Sequence, residues 1–550
     1  MALVDRRIGL LFLAFVGLLA IALLRATYLG AVKAGSLQQA AATQQVTAVT
    51  IPAPRGTITD RNGVELAVSE AVDEVVADPY LIKKPQVVAG QLAPLLGTSF
   101  STVLAEVTEP NRGFVPLAHS LPASRAAAIA RLNINGITMI RGTKRVYPRS
   151  TEAAQVLGGV GWNDNGIGGL EYMYNPVLRG VDGIRRTVSD AIGQPISIDQ
   201  VRSMVPGKTL RLTIDAALQD EVEQVLAGVG AAYSPKGATA IVMNPNNDQI
   251  LALANWPAVN ANSPGAPSYA SEDRAVSFNY EPGSTFKAIT VAGALQDHVV
   301  TPSTPFDIPP VLQVADRQIH DAESHGYETL SVANILKYSS NIGADEIGMK
   351  LGPQRFDYWV HRFGFGAPTG VDLPGEQQGI VLHWQQYSGS SMGNLPMGQG
   401  ESVTLMQMAT AYSAIANGGI LRPPRIVEAI GDKPVREPAG RRILSPSVAA
   451  ELRNMLRGVF ADGGTASGAA IPGWDLAGKT GTANEVIHGR YSDSAYAASF
   501  IGFVPANHPQ LLVAVMVDRP QGAIFGGAVA APAFQKIVGW AVPYLGISPN

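Results

Sequence analysis

The longest unbroken apolar pattern is IGLLFLAFVGLLAIALL, Ile8 to Leu24, 17 residues without a charge. With Ala26, Tyr28 and Leu29 beyond Arg25 it approaches the roughly 20 residues that span a bilayer. The apolar core of a cleaved signal peptide is shorter, about 7–15 residues. Small residues at Ala40–Ala42 offer a candidate cleavage site, but the length favours an uncleaved transmembrane helix over 8–29 behind a short cytoplasmic tail, 1–7. Arg6 and Arg7 precede the run and Arg25 and Lys33 follow it, so flanking charge alone leaves the orientation open. A large domain is translocated largely regardless of its charge, and the bulk of the chain is expected outside.

Beyond the anchor, residues 30–50 are polar and Gln/Ala-rich, which predicts a helical stalk. Thr57-Ile58-Thr59, then Asn62-Gly63, then Val64 to Val68 reads as strand, tight turn, strand. Helical spacing returns at 122–132, and Gly161 to Gly183 reads as a glycine-punctuated helix. Leu210 to Ile214 alternates as a strand, and Asp215 is placed to cap a helix over 216–228. Two hairpins follow far apart: one around Asn-Pro-Asn-Asn-Asp in GATAIVMNPNNDQILALANWP, the other turning at Pro505 to Gln510. Mostly helical sequence lies between them, and a last helix is expected at roughly 529–543. Strands at both ends with helices between predict an α+β fold, an antiparallel sheet flanked by helices.

Composition narrows the function. The chain has 550 residues, 46% hydrophobic and 15% charged, with a net charge of −3. It carries no long basic run, which argues against nucleic acid as a partner. The absence of cysteine excludes disulfides and thiolate chemistry.

Within the helical stretch, NYEPGSTFKAIT (Asn279 to Thr290) places Ser284 three residues before Lys287. As a bland signal this is a capped helix with an apolar stripe at Phe286, Ile289, Ala292 and Leu295. Positions three apart also share a helix face, which can hold a hydroxyl against an amine. No other serine in the chain has a lysine at that spacing. Downstream stand Ser339-Ser340-Asn341 and Lys479-Thr480-Gly481-Thr482. The S-x-N pattern alone is weak, since Ser277-Phe278-Asn279 and Ser548-Pro549-Asn550 also match; the K-[ST]-G is unique. In this order, S-x-x-K, S-x-N and K-T-G form the signature of the penicillin-recognising serine acyltransferases.

The chemistry explains the residue types. A serine hydroxyl needs a base to take its proton. Lys287 can serve only when neutral, and bringing an amine from about 10.4 to near 7 costs roughly 4–5 kcal/mol, through burial and a neighbouring cation such as Lys479. Ser339 is a candidate proton relay to the leaving amine, and Asn341 a candidate for orienting substrate amides. A K-T-G strand at a sheet edge can take up an extended peptide by strand addition. Lys479 and Thr480 can hold a substrate carboxylate, and the N–H groups of Ser284 and Thr482 can form an oxyanion hole.

The chain resembles a class B penicillin-binding protein of the division type. The resemblance covers nearly the whole chain: RGTITDRNGVELA, RVYP at Arg145 to Pro148, GGLEYMYNPVLRGVDG, LTIDAALQ, YEPGSTFK, SSN, FGFGAPTGVDLPGE, MGQGESVT and AGKTGTA follow in the family's order. It implies a peptidoglycan D,D-transpeptidase domain over 206–550 and a mixed α/β pedestal, of the family's dimerisation type, over 30–205. Ser284, Lys287, Ser339, Asn341 and Lys479 match the family's catalytic positions, and Thr480, Gly481 and Thr482 its substrate-binding strand. The resemblance implies a single-pass inner-membrane protein whose catalytic domain is extracytoplasmic. Its implied partners are a SEDS-family glycosyltransferase, other cell-division membrane proteins, peptidoglycan stem peptides and β-lactams, with no cofactor. Glu281 in YEPGS resembles the division type more than the elongation type, which tends to have proline there; a sporulation type is the further alternative.

Three rivals share the motifs. A soluble serine β-lactamase lacks the anchor and pedestal, a β-lactam sensor usually has more spans and a cytoplasmic part, and a D,D-carboxypeptidase differs only in using water as acceptor. Finally, His320, Asp321, Glu323 and His325 in RQIHDAESHGYE gather two imidazoles and two carboxylates, a candidate metal cluster whose spacing is not a standard zinc pattern.

Overall fold

The computed structural model describes all residues except 1, 34, 36–45, 111, 113–114, 162–163, 190–194, 264–267 and 550. The chain divides into two compact units, one of residues 1–54, 71–144 and 180–207, the other of residues 55–70, 145–179 and 208–550.

The first unit begins with a helix, Ala2–Thr27, along which Leu10, Leu13, Leu18 and Leu23 are exposed as on a lipid-facing rod. The segment Arg6–Val32 is long and apolar enough to cross a membrane, in keeping with a single-pass anchor. Of the expected helical stalk, residues 34 and 36–45 lie outside the described residues, and its end is not helical. Val46–Ile51 is a strand paired antiparallel with Gly183–Ser189. The run Val-Thr-Ala-Val-Thr-Ile is rich in β-branched residues, which favour strands over helices. A separate small core joins helices Pro85–Leu96, Phe100–Val107 and Ala123–Arg131 through Leu92, Val103 and Ile129 against Val75 and Leu117.

The second unit opens with the expected hairpin. Ile58 pairs with Ala67 and Thr59 with Glu65, and the Asp60 carboxylate accepts the Asn62 and Val64 N–H groups at 2.7 and 2.8 Å, closing the turn. Among its described residues the Gly161–Gly183 stretch is helical over Gly169–Met173 and Asn175–Leu178 only. Gly166–Gly168 pairs instead with Gly159–Val160, because glycine is a poor helix former. Three sequence motifs meet here. Arg55 Nη2 lies 2.7 Å and Arg145 Nε 2.6 Å from the carboxylate of Glu171, with the Arg55 and Glu171 side chains fully buried. Arg55 Nη1 also donates to Asn175 Oδ1 at 2.8 Å. Arg55→Ala leaves Glu171 its bond to Arg145 but removes one of its two cations and the bond to Asn175, so it is expected to destabilise this unit by about 1.5–3 kcal/mol in urea unfolding. A loss below about 1 kcal/mol would show the network to be dispensable.

The large sheet follows. Helix α1 (Ala216–Tyr233) is capped by Asp215, whose carboxylate accepts the Ala217 and Leu218 N–H groups at 3.1 and 3.2 Å; it runs past the expected end at 228. Strands β1 (Gly237–Asn244) and β2 (Gln249–Trp256) form the first hairpin. The central helices are α2 (Lys287–Gln296), α3 (Val332–Tyr338), α4 (Asn341–Leu351), α5 (Pro353–Arg362) and α6 (Leu405–Ala416). Strands β3 (Ala477–Ile487), β4 (Arg490–Val504) and β5 (Leu511–Asp518) precede α7 (Gly526–Tyr544). The order across the sheet is β2-β1-β5-β4-β3, all antiparallel. Both faces are covered, so β5 reads as a continuous apolar run. Leu511, Val513, Val515 and Val517 pack with α1 and α7 residues such as Leu226 and Phe534; Leu512, Ala514 and Met516 pack with the central helices. Strand β3 stands at the edge, with Lys479-Thr480-Gly481 on it.

Candidate active site

Ser284 lies not in an α-helix but in a 3₁₀ turn, Gly283–Phe286, that hands over to α2 at Lys287. The tighter turn eclipses positions three apart, so Ser284 and Lys287 stack along one line. The turn is clamped from three sides. Thr285 Oγ1 donates to Pro282 O at 2.7 Å, Tyr412 on α6 donates its hydroxyl to Thr285 O at 2.6 Å, and Gly283 N–H bonds Gly398 O at 2.9 Å. Gly283 has φ +53, and a Cβ there would lie 2.7 Å from Thr482 O, so the turn presses directly on β3. A Cβ on Gly481 would meet Pro282 O at 2.9 Å from the other side. Ser284 is only half-buried among fully buried neighbours.

Ser339 ends α3 in a left-handed conformation, φ 64, and Ser340 caps α4, so the chain reverses across Ser339-Ser340-Asn341. That reversal aims both outer side chains at Lys287. Its Nζ donates to Asn341 Oδ1 at 2.7 Å and to Ser339 O at 2.5 Å, with Ser339 Oγ at 3.3 Å. Lys479 Nζ reaches the same Ser339 hydroxyl at 2.9 Å and Thr480 Oγ1 at 3.2 Å. One hydroxyl thus bridges two amines. Both lysines are fully buried. Burial pulls the Lys287 amine down to about 8, against the upward pull of Asp321 and Asp345. Lys479 is driven well below its ordinary value by burial and then by the charge of Lys287. Two buried amines that share one hydroxyl disfavour each other's charge, so the second proton is the harder to hold.

Among the described residues the Ser284 hydroxyl makes no hydrogen bond, so the Ser284–Lys287 contact expected from spacing is not formed in this resting geometry. Such contacts often tighten only once substrate is bound. Thr480 Oγ1 shares a bond with Thr465 Oγ1 at 2.9 Å, and Thr482 Oγ1 accepts the Gly526 N–H at 3.0 Å at the start of α7. The eight residues singled out from the sequence are thus gathered around one edge of the sheet.

The acidic, histidine-bearing loop does something other than gather ligands. Asp321 accepts from Ser340 Oγ at 2.7 Å, from Ile342 N–H at 3.0 Å and from Asn341 N–H, so it anchors the start of α4. His320 offers its carbonyl to Asn341 Nδ2 at 2.9 Å, and His325 Nε2 lies 3.2 Å from Asp321. Glu323 and the His320 residue are exposed. Sequence reasoning missed two further carboxyls, Asp345 and Glu401, and used a third, Glu281, only as a marker of type. Asp345, one turn beyond Asn341, is fully buried, and burial raises it well above the usual range. Glu281 rises to about 7 through burial, although Gly400 N–H and Tyr491 hydroxyl donate to it, each at 3.2 Å. Buried Glu401 is pushed up by burial and by Glu281. For Asp345 and Glu401 the only sequence signal was their closeness to the motifs.

The arrangement is that of an acyl-transfer site: a partly exposed hydroxyl, a buried amine of lowered basicity, a hydroxyl between two amines, and an edge strand for an extended ligand. Comparison with known proteins agrees. Residues 238–539 match the family model of the penicillin binding protein transpeptidase domain, and residues 50–212 that of the penicillin-binding protein dimerisation domain. The probable peptidoglycan D,D-transpeptidase PenA of Neisseria meningitidis is 31% identical over 553 residues, covering 99% of this chain and 94% of the relative. Penicillin-binding protein PbpB of Mycolicibacterium smegmatis is 33% identical, covering 96% and 88%. Stage V sporulation protein D of Bacillus subtilis is also 33% identical, covering 90% and 79%. The crystal structure of penicillin binding protein 3 from Mycobacterium tuberculosis complexed with aztreonam superposes with a TM-score of 0.72 at 29% identity, covering 91% of this chain and 98% of that one. The α+β fold, the motif geometry and these matches lead to one conclusion: the chain belongs to the class B penicillin-binding proteins, the peptidoglycan D,D-transpeptidases.

Proposed function

We propose that this transpeptidase works through an acyl-enzyme on Ser284. Neutral Lys287 takes the Ser284 proton as Oγ attacks the carbonyl of a D-Ala-D-Ala bond in a stem peptide. The N–H groups of Ser284 and Thr482 receive the developing oxyanion. Ser339 passes a proton to the departing D-alanine amine, and an amine of a neighbouring stem then attacks the ester, restoring the Ser284 hydroxyl and leaving a cross-link. Asn341 orients substrate amides, Lys479 and Thr480 hold the carboxylate, and Gly481 keeps the strand open to the peptide. The observation that carries this reading is the Ser339 hydroxyl held between Lys287 and Lys479 beside the half-buried Ser284. Incubation with a stem-peptide donor and an amine acceptor, followed by mass analysis, is expected to yield cross-linked product. Hydrolysed donor alone would point to a carboxypeptidase, and rapid turnover of penicillin to a β-lactamase.

The setting follows from the same resemblance. The apolar N-terminal helix supports a single-pass protein of the inner membrane with its catalytic domain outside, working beside a SEDS-family glycosyltransferase and other division proteins. The transpeptidase domain is taken as 206–550 and the pedestal as 30–205, the latter docking on the polymerase. Glu281 supports a septal role, so depletion should give filaments; rounded cells would assign the protein to elongation and a defect confined to spores to sporulation.

A further inference from the structure

A second group of ligating side chains lies apart from the reacting residues. Asp357 and His361 sit one turn apart on α5, and His383 arrives from the segment ahead of the short 3₁₀ turn Trp384–Gln386. His361 Nδ1 is 2.8 Å and His383 Nδ1 3.6 Å from the same oxygen, Asp357 Oδ1, and the three ligand atoms all lie within 4.8 Å of one another. The two imidazoles stack, centroids 4.4 Å apart and planes 14° from parallel, and His361 Nδ1 also lies 3.0 Å from Asp357 O, so the rings turn out of the stack for their nitrogens to meet on one ion. We propose that Asp357, His361 and His383 form a zinc site that clamps the 380–387 segment to α5.

The spacing of the carboxylate from the two imidazoles suits the ion. Zinc held tetrahedrally by bonds of about 2.0–2.1 Å has neighbouring ligand atoms roughly 3.3 Å apart, and the two observed separations bracket that spacing. Asp357 is only 8% exposed, and among the described residues its Oδ1 is a buried oxygen without a well-formed hydrogen bond. A buried carboxylate oxygen left in that state needs a cation or a proton. The His383 side chain is 65% exposed, which gives the ion an entry path and leaves the fourth position to water. Two imidazoles with one carboxylate suit zinc rather than calcium or magnesium, which take oxygen ligands.

The clamp would act on the reacting turn from two directions. Helix α5 packs on the turn and on α2 through Phe356 against Phe286, centroids 6.4 Å apart, and through Trp359 beneath Gly293. On the other side, Ile380 pairs with Ser402 through bonds of 2.8 and 2.9 Å, and Val403 pairs with Tyr280, four residues before Ser284. An ion between α5 and His383 therefore joins the two supports of that turn. This inference is independent of the acyl-transfer reading, because zinc binding is measured without any β-lactam.

The test uses the full-length protein in detergent, stripped with chelator, dialysed and titrated with zinc chloride by calorimetry, with zinc counted after desalting. One zinc per chain is expected, together with a rise in melting temperature. His383→Ala, at an exposed position that tolerates truncation, is expected to weaken binding at least about 100-fold, since even outer-shell partners of metal ligands contribute roughly 10–100-fold. It should also abolish the thermal shift. His361→Ala should do the same, while His325→Ala should bind zinc as the wild type does. Substoichiometric zinc in the wild type, zinc retained by His383→Ala, or zinc lost in His325→Ala would each overturn the assignment. Binding of nickel or copper but not zinc would overturn the choice of ion.

Discussion

Ser284→Ala is expected to show no covalent adduct with penicillin in intact-mass analysis, where the wild type shows one. Removing the serine nucleophile of an acyl-transfer enzyme costs on the order of 10⁶ in turnover, so the residual rate should be undetectable. The variant should also fold normally. The hydroxyl makes no hydrogen bond among the described residues, and the backbone of the turn is held by Tyr412, Gly398 and the Thr285 side chain instead. A change in stability within about 0.5 kcal/mol is expected, as for other substitutions that break no contact. An adduct persisting in Ser284→Ala would place the nucleophile elsewhere.

Lys287→Arg should lower acylation by about 10²–10⁴, the range a positioned general base contributes. Arginine keeps the positive charge but cannot supply a neutral nitrogen. Because a buried guanidinium can disturb packing, Lys287→Met, of similar length and uncharged, serves beside it; both should lose acylation. The wild-type pH profile gives a separate check. Burial lowers the amine to about 8, and only the deprotonated form accepts a proton. The acylation rate should therefore rise about tenfold per unit up to that point and level off above it, roughly a tenth of the amine being neutral at pH 7. A flat profile, or near-normal acylation by Lys287→Met, would remove Lys287 from the role of base.

How much was legible in the sequence depended on how local the physics was. The β5 strand was readable because residues 511–517 are buried on both faces, and helix α1 because Asp215 is a strong cap. The three motifs were readable because their residue types are dictated by chemistry, whatever their spacing along the chain. What failed was long-range or marginal. The strand at 46–51 was hidden under a polar stalk composition, since its pairing partner lies more than a hundred residues away. The anchoring of α4 by Asp321 and the burial of Asp345 depend on tertiary packing that no periodicity encodes. The loop at 320–325 drew attention as a metal cluster, whereas converging ligand atoms occur at Asp357, His361 and His383, which are spread over 27 positions and form no motif.

Strand β3, at the margin of the sheet, has an evolutionary consequence. A ligand paired along Lys479 to Ala483 is gripped by carbonyl groups that every amino acid possesses and by N–H groups that all but proline possess. Short of proline, mutation cannot delete such a grip; it can only crowd it, and at Gly481 any added side chain meets Ser499 and Pro282. Heritable escape from a β-lactam that uses this margin must therefore come from elsewhere. It has to be bought through side chains around the entrance, such as Tyr491 and the Glu281 carboxyl it bonds, where drug and natural peptide differ in shape. A laboratory selection should populate those positions and leave the margin itself unvaried.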